Sequence, residues 1–313
     1  MTVCPVRLAR SRTQPFQGCS TGSNPVRDVL HLKKRFGQHF LTDRSILRRI
    51  VQFADIHPED TVVEIGPGAG ALTIELAAAA RKVIAIEIDC DLVLSLRPSV
   101  PPNVEIIEGD ALDVQWPVGT FHMVGNLPYN ISTPLLKRFI KQRDQIRDVT
   151  VMVQKEVAER LRARPSTRDY GPLSVLIQYY ATVKYGFTVS PGAFTPRPKV
   201  DSAVVRLDWK SDVPGSRDFT DFVQDAFASR RKKLVNNLLM MFGSLGRNEV
   251  LRRVEKASIP PDVRPEELSV ADFLRLYNEF RDAERKRDSA QPKDAERKRD
   301  SAQPINGGPE KRK

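Results

Sequence analysis

A chain of 313 residues with 40% hydrophobic content can bury the core of one medium or two small domains, and none of its apolar runs approaches a membrane span. Its three cysteines, Cys4, Cys19 and Cys90, lack both the even count of a disulfide framework and the spacing of metal ligands, so a reducing cytoplasm and no metal are expected. The net charge of +11 points to a polyanionic partner, yet residues 1–35 and 281–313 carry +6 and +4 of it, so affinity for a nucleic acid must come from where charge sits on the body.

Residues 1–32 are expected to form a disordered leader, rich in arginine and without the apolar stretch of a secretory signal. Within it, Gly22-Ser23-Asn24-Pro25-Val26 reads as translated upstream sequence, because a stretch typical of transfer-RNA genes encodes Gly-Ser-Asn-Pro. A catalytic domain is expected over residues 33–209. Thr61–Ile65 is an apolar, β-branched run of the length of a buried parallel strand, and it leads straight into Gly66-Pro67-Gly68-Ala69-Gly70. Residues 72–80 then carry a helix. A strand, a glycine turn and a helix N-terminus make a corner where a nucleotide can approach the backbone. The next strand, 82–88, brings Glu87 to about twenty residues beyond Gly66, where an acid accepts hydrogen bonds from ribose hydroxyls. A third strand, 104–108, leads to Asp110, placed to meet an adenine amino group. Gly66, Gly68 and Ala71 also satisfy the dinucleotide fingerprint of a dehydrogenase, so the loop alone does not choose a cofactor.

Asn126-Leu127-Pro128-Tyr129, after a fourth strand, makes the choice. The exocyclic nitrogen of adenine is a poor nucleophile because its lone pair is delocalised into the ring. Two acceptors aimed at its hydrogens draw it toward tetrahedral geometry, and the Asn126 amide oxygen and the Leu127 carbonyl are suited to that task. Pro128 holds Leu127 extended, fixes its own φ and brings no donor. Tyr129 offers a flat face for a base taken out of its stack. The two oxygens would also stabilise positive charge developing on nitrogen, so no general base is needed. In isolation these four residues fit an ordinary strand-to-helix turn equally well. Their place behind the glycine loop favours methyl transfer from S-adenosylmethionine over dinucleotide chemistry.

Three more strands, near 148–154, 184–189 and 203–207, complete a seven-stranded, doubly wound α/β sheet with ligands at the carboxyl ends of its strands. Between the last two, Phe194-Thr195-Pro196-Arg197-Pro198-Lys199 has prolines at alternate positions, which favour an extended loop. Such a loop would lay Phe194 over the site and point Arg197 or Lys199 at phosphate; the plainer reading puts Phe194 in the core. Residues 210–281 are expected to be a small all-helical RNA-docking domain. Apolar residues from Phe219 to Phe242 recur at helical spacing around Arg230-Arg231-Lys232-Lys233, a solvated turn or a phosphate clamp. In 282–313 the string DAERKRDSAQP occurs twice with no hydrophobic stripe, and this basic tail is expected to be disordered.

At this point the chain resembles the ribosomal RNA adenine dimethylases along most of its length. The likeness runs through Lys34-Arg35-Phe36-Gly37-Gln38-His39-Phe40-Leu41, Glu64-Ile65-Gly66-Pro67-Gly68, Gly109-Asp110-Ala111, Gly125-Asn126-Leu127-Pro128-Tyr129-Asn130-Ile131-Ser132 and the segment from Phe194 to Val205. The resemblance implies a Rossmann-like class I methyltransferase fold and dimethylation of two adjacent adenines near the 3′ end of small-subunit (16S) ribosomal RNA, within an immature 30S-type particle. It implies that His39, Leu41, Gly66, Glu87, Asp110 and Asn126 contact the methyl donor, and that Tyr129 and Phe194 sandwich the base. His39 departs from the pattern, since many relatives carry asparagine there. A cytoplasmic monomer is expected. Two alternatives stay open: a large-subunit adenine methylase of the macrolide-resistance type, and an RNA-binding assembly factor whose methylation is incidental.

Overall fold

The computed structural model describes residues 39–290 apart from Asp212, residues 214–216, Arg230 and Arg231; at Arg217 and over 284–290 it describes the backbone alone. The leader, the start of the Lys34 motif, Arg230, Arg231 and the second copy of the duplicated string lie outside the described residues.

The chain opens with β1 (Phe40–Leu41) and α1 (Arg44–Ala54). Asp43 caps α1 by accepting from the N–H groups of Ser45 and Ile46, and Leu47, Ile50 and Ala54 recur on its buried face. The chain then runs through β2 (Thr61–Ile65), α2 (Ala71–Ala79), β3 (Lys82–Glu87), α3 (Cys90–Leu96), β4 (Val104–Glu108), β5 (Phe121–Asn126), α4 (Ser132–Lys141), β6 (Ile146–Gln154), α5 (Lys155–Leu161) and α6 (Pro172–Tyr180). β7 (Ala181–Val189), β8 (Phe194–Thr195) and β9 (Ser202–Trp209) follow. The seven-stranded sheet has the order β4-β3-β2-β5-β6-β9-β7, and its pairs from β4 to β6 are parallel. From β2 the chain winds outward to β4, then crosses back to β5 on the other side of β2. The strand order therefore reverses between β2 and β5, which opens a crevice at their carboxyl ends.

The opposite ends of these strands are joined by buried charge. The His122 ring lies 3.0 Å from the Asp148 carboxylate and 3.2 Å from that of Asp60, and Arg206 reaches Asp148 at 3.0 Å and the Ala54 carbonyl at 2.7 Å. Burial opposes a charged imidazole, but the two carboxylates outweigh it and hold the His122 pKa above its ordinary value. The stability this gives is complete below the unfolded pKa of the ring and is lost as pH rises through the folded one.

The described residues divide into two compact units. One runs to Lys155 and takes in Lys184–Leu207; the other holds Glu156–Val183 and the chain from Asp208 onward. The sequence places the division near 209–210, whereas α5 and α6 group with the C-terminal helices. The reason lies in distant aromatic contacts. Tyr179 meets Phe219 at 4.3 Å between ring centroids, and the Tyr170 hydroxyl donates to the Leu268 carbonyl at 2.7 Å.

That second unit also contains α7 (Arg217–Ala226), α8 (Leu234–Met241), α9 (Arg247–Lys256) and α10 (Val270–Ala290). The helical spacing from Phe219 to Phe242 is thus split between two helices rather than carried by one. Buried Asn237 donates to the carbonyls of Ala226 and Ser229 at 2.7 and 3.3 Å, closing the end of α7, and Lys233 is extended just before α8. Lys232 and Lys233 are exposed in this turn. α10 continues through the first copy of the duplicated string as far as Ala290, where the sequence predicts no helix. Its start is packed by Phe273, Leu276, Tyr277 and Phe280, and once a helix is nucleated, alanine, glutamate, lysine and arginine extend it at little cost.

Candidate active site

The crevice between β2 and β5 is a cavity of about 480 Å³, and nine of the sequence-predicted residues line it: His39, Leu41, Gly66, Glu87, Asp110, Asn126, Leu127, Pro128 and Tyr129. Two features of the sequence bring them together. Gly66, Gly68 and Gly70 all have positive φ, so the turn after β2 folds back under α2 in a conformation that favours glycine. Gly125 in β5 lies opposite Ile65, and a Cβ there would come within 2.7 Å of the Ile65 carbonyl oxygen. Only glycine lets β5 run this close to β2, and that closeness sets Asn126 beside Gly66.

Asn126 is oriented before any substrate arrives. Its Nδ2 donates to the His39 carbonyl at 3.0 Å. A carbonyl can only accept, so the contact fixes which side of the amide carries nitrogen and leaves Oδ1 as the acceptor on the other side. The turn after it is held by backbone bonds. Leu127 N–H donates to Met152 at 3.0 Å, the Pro128 carbonyl accepts from Ile131 at 3.1 Å, and the Tyr129 carbonyl accepts from Ser132 Oγ at 3.1 Å.

Glu87 sits at the end of β3 and accepts from Gly68 N–H at 3.1 Å and Asp89 N–H at 2.9 Å. Burial raises its pKa, while those two N–H groups favour the charged form. Asp110 accepts from Leu112 N–H at 2.8 Å, and its loop is held from outside by Arg138, which donates to Ala111 O at 2.8 Å and Val114 O at 2.5 Å.

The residues expected to contact RNA or the second face of the base are placed differently. Phe194 is 2% exposed, belongs to the core cluster with Leu41 and Leu47, and does not line the cavity. It pairs with Leu41 through the small β1-β8 ribbon, which turns its ring inward. Of the two rings expected to sandwich a base, Tyr129 lines the cavity and Phe194 is packed into the core cluster. Arg197 and Lys199 are exposed on the loop that follows.

Two residues that the sequence reading left without a role belong to the site. Glu64, 1% exposed near the carboxyl end of β2, lines the cavity, and its Oε2 has no hydrogen-bond partner among the described residues. Burial pushes its carboxyl up to about 8, with the charge of Glu87 adding to the shift. An acid inside an otherwise apolar buried strand was the signal for it. Ser202 supports Tyr129 from outside the cavity, with the two hydroxyls 2.6 Å apart. Among the described residues, the cavity wall thus carries Glu64, Glu87 and Asp110 and no lysine or arginine. Such a wall suits a cationic ligand and repels a pyrophosphate.

Residues 29–282 match the profile of a protein family described as ribosomal RNA adenine dimethylase. The chain belongs to that family. As a member it is an enzyme that dimethylates adenine in ribosomal RNA, with the mixed α/β methyltransferase fold described above. A ribosomal RNA small subunit methyltransferase A of Alcanivorax borkumensis is 41% identical over 270 residues, covering 83% of this chain and 94% of the relative. Among solved structures, a dimethyladenosine transferase from Plasmodium falciparum superposes with a TM-score of 0.70 at 29% identity, covering 78% of this chain and 98% of that one. The 23S ribosomal RNA methyltransferase ErmE superposes with a TM-score of 0.61 at 29% identity, covering 77% of this chain and 99% of that one. Among the described residues of this dimethylase, no helix is long and apolar enough to cross a membrane.

Proposed function

We propose that this enzyme uses S-adenosylmethionine to dimethylate the N6 amines of two adjacent adenines near the 3′ end of small-subunit ribosomal RNA, acting as a cytoplasmic monomer on an immature 30S-type particle. The observation that carries the reading is Asn126, with Oδ1 freed by the His39 contact, at the rim of a cavity walled by three carboxyl groups. His39, Leu41, Gly66, Glu87, Asp110 and Asn126 would hold the donor, and the cavity fits its cationic character. Bound there, the donor supplies an electrophilic methyl group.

The chain's own residues do the rest. Tyr129 presents its ring to the extruded base. Asn126 Oδ1 and the Leu127 carbonyl accept the two hydrogens of the amine, hold its lone pair toward the cavity and stabilise the charge that develops on nitrogen. Both acceptors are set by hydrogen bonds to distant backbone carbonyls, those of His39 and Met152, so little reorganisation accompanies the reaction. On this reading Arg197, Lys199, Arg230, Arg231, Lys232 and Lys233 contact phosphate.

The similarity to a 23S ribosomal RNA methyltransferase keeps one second reading in view, a large-subunit substrate. Immature small and large subunits, each incubated with the enzyme and methyl-labelled donor, separate the two. Label is expected in the small-subunit RNA alone. Label confined to large-subunit RNA would overturn the proposal.

A further inference from the structure

We infer that Ser202 is a positioning residue, whose hydroxyl holds the Tyr129 ring in the plane on which the target base stacks. The inference rests on the proposed base-stacking role of Tyr129. The two hydroxyls lie 2.6 Å apart across 73 positions of sequence. Ser202 is fully buried at the start of β9, and the carbonyl of the preceding Asp201 accepts from Lys155 N–H at 2.9 Å. The anchor is therefore part of the sheet, while Tyr129 stands on a turn beside the cavity.

A tyrosine ring turns about two side-chain torsions, and the second has a broad well. Hydrogen-bonding the far end of the ring to a rigid strand removes that freedom. The neighbouring His39 ring shows what the tether works against: its centroid is 5.6 Å from that of Tyr129, with 32° between the planes. Released from Ser202, the Tyr129 ring could tilt toward the imidazole and cover the face the base needs. Setting the ring beforehand spares that ordering each time a base docks, and dimethylation needs a productive geometry at each of two transfers.

The test is a double-mutant cycle on the intact enzyme with Ser202→Ala, Tyr129→Phe and the pair. Phenylalanine keeps the aromatic face and removes the same hydrogen bond from its other end. Each single variant is expected to lower single-turnover methyl transfer about 5- to 20-fold, with donor affinity unchanged, and the double variant should be no slower than the slower single. Effects that multiply in the double variant, or a Tyr129→Phe enzyme as fast as the parent, would overturn the inference. Tyr129→Phe keeps the test decisive should Ser202→Ala fold poorly, because it leaves the buried strand untouched. A parent enzyme that transfers no methyl to RNA would instead count against the proposed function itself.

Discussion

Alanine at position 126 is expected to slow methyl transfer at saturating donor by about 10²- to 10³-fold while RNA affinity stays within a few-fold, the pattern for loss of a preorganised group that acts on developing charge. The side chain does two things at once. Its nitrogen joins the end of β5 to the His39 carbonyl, and its oxygen is thereby presented to the amine. Truncation removes the acceptor and also leaves the His39 carbonyl without that donor, at a cost of about 1–3 kcal/mol if no water replaces it. Asn126→Asp separates the two effects, since it keeps an acceptor oxygen but sets a carboxylate against the His39 carbonyl. That variant should lose more stability than the alanine variant, in which the His39 carbonyl is left without its donor but faces no charge. Single-turnover kinetics, RNA binding by anisotropy and a thermal melt check each part. An alanine variant as fast as the parent would remove Asn126 from the chemistry.

Glu64→Gln should produce a protein that is more stable and binds its donor less well. Because burial pushes the Glu64 carboxyl up to about 8 from an unfolded value of 4.5, the folded state holds a proton that the unfolded state gives up between those values. Folding stability from this group is complete below pH 4.5, falls as pH rises, and levels off above about 8. Glutamine has no proton to lose, so the variant's advantage should grow across that window, reaching on the order of 3–5 kcal/mol at its alkaline end. Urea unfolding at pH 5, 7 and 9 measures it, and a difference that does not change with pH would contradict the assignment. A buried acid that weakens the fold calls for a reason, and the unpartnered Oε2 on the cavity wall supplies one. Beside a cationic donor the Glu64 carboxyl would favour its ionised form, release its proton to solvent and pair with the cation, so donor affinity should fall in the same variant that gains stability.

The cavity wall formed by Glu87, Asp110 and Asn126 is legible in the sequence because each of these residues sits at or just after the carboxyl end of a strand that announces itself. Thr61–Ile65 is continuously apolar except for Glu64, and Glu87, Asp110 and Asn126 lie at or just after the ends of β3, β4 and β5. What was not legible depends on contacts between segments far apart in the chain. Nothing near Phe194 says whether its ring turns in or out; pairing with Leu41, more than 150 positions earlier, decides it. The break between α7 and α8 depends on Asn237 reaching back to Ala226, and an apolar period that continues through both helices conceals it. The grouping of α6 with the C-terminal helices depends on Tyr179 meeting Phe219. Glu64 could have been found as a lone acid in a buried strand, whereas nothing local marks Ser202 as the partner of Tyr129.

A crystal structure of the enzyme with demethylated donor and an adenosine-bearing RNA fragment would place the amine directly. Its N6 should lie within about 3.2 Å of both Asn126 Oδ1 and the Leu127 carbonyl, with the base against the Tyr129 ring and the Asn126 amide nitrogen still on the His39 carbonyl. An N6 held by other groups, or an Asn126 amide turned so that its nitrogen faces the base, would contradict the mechanism.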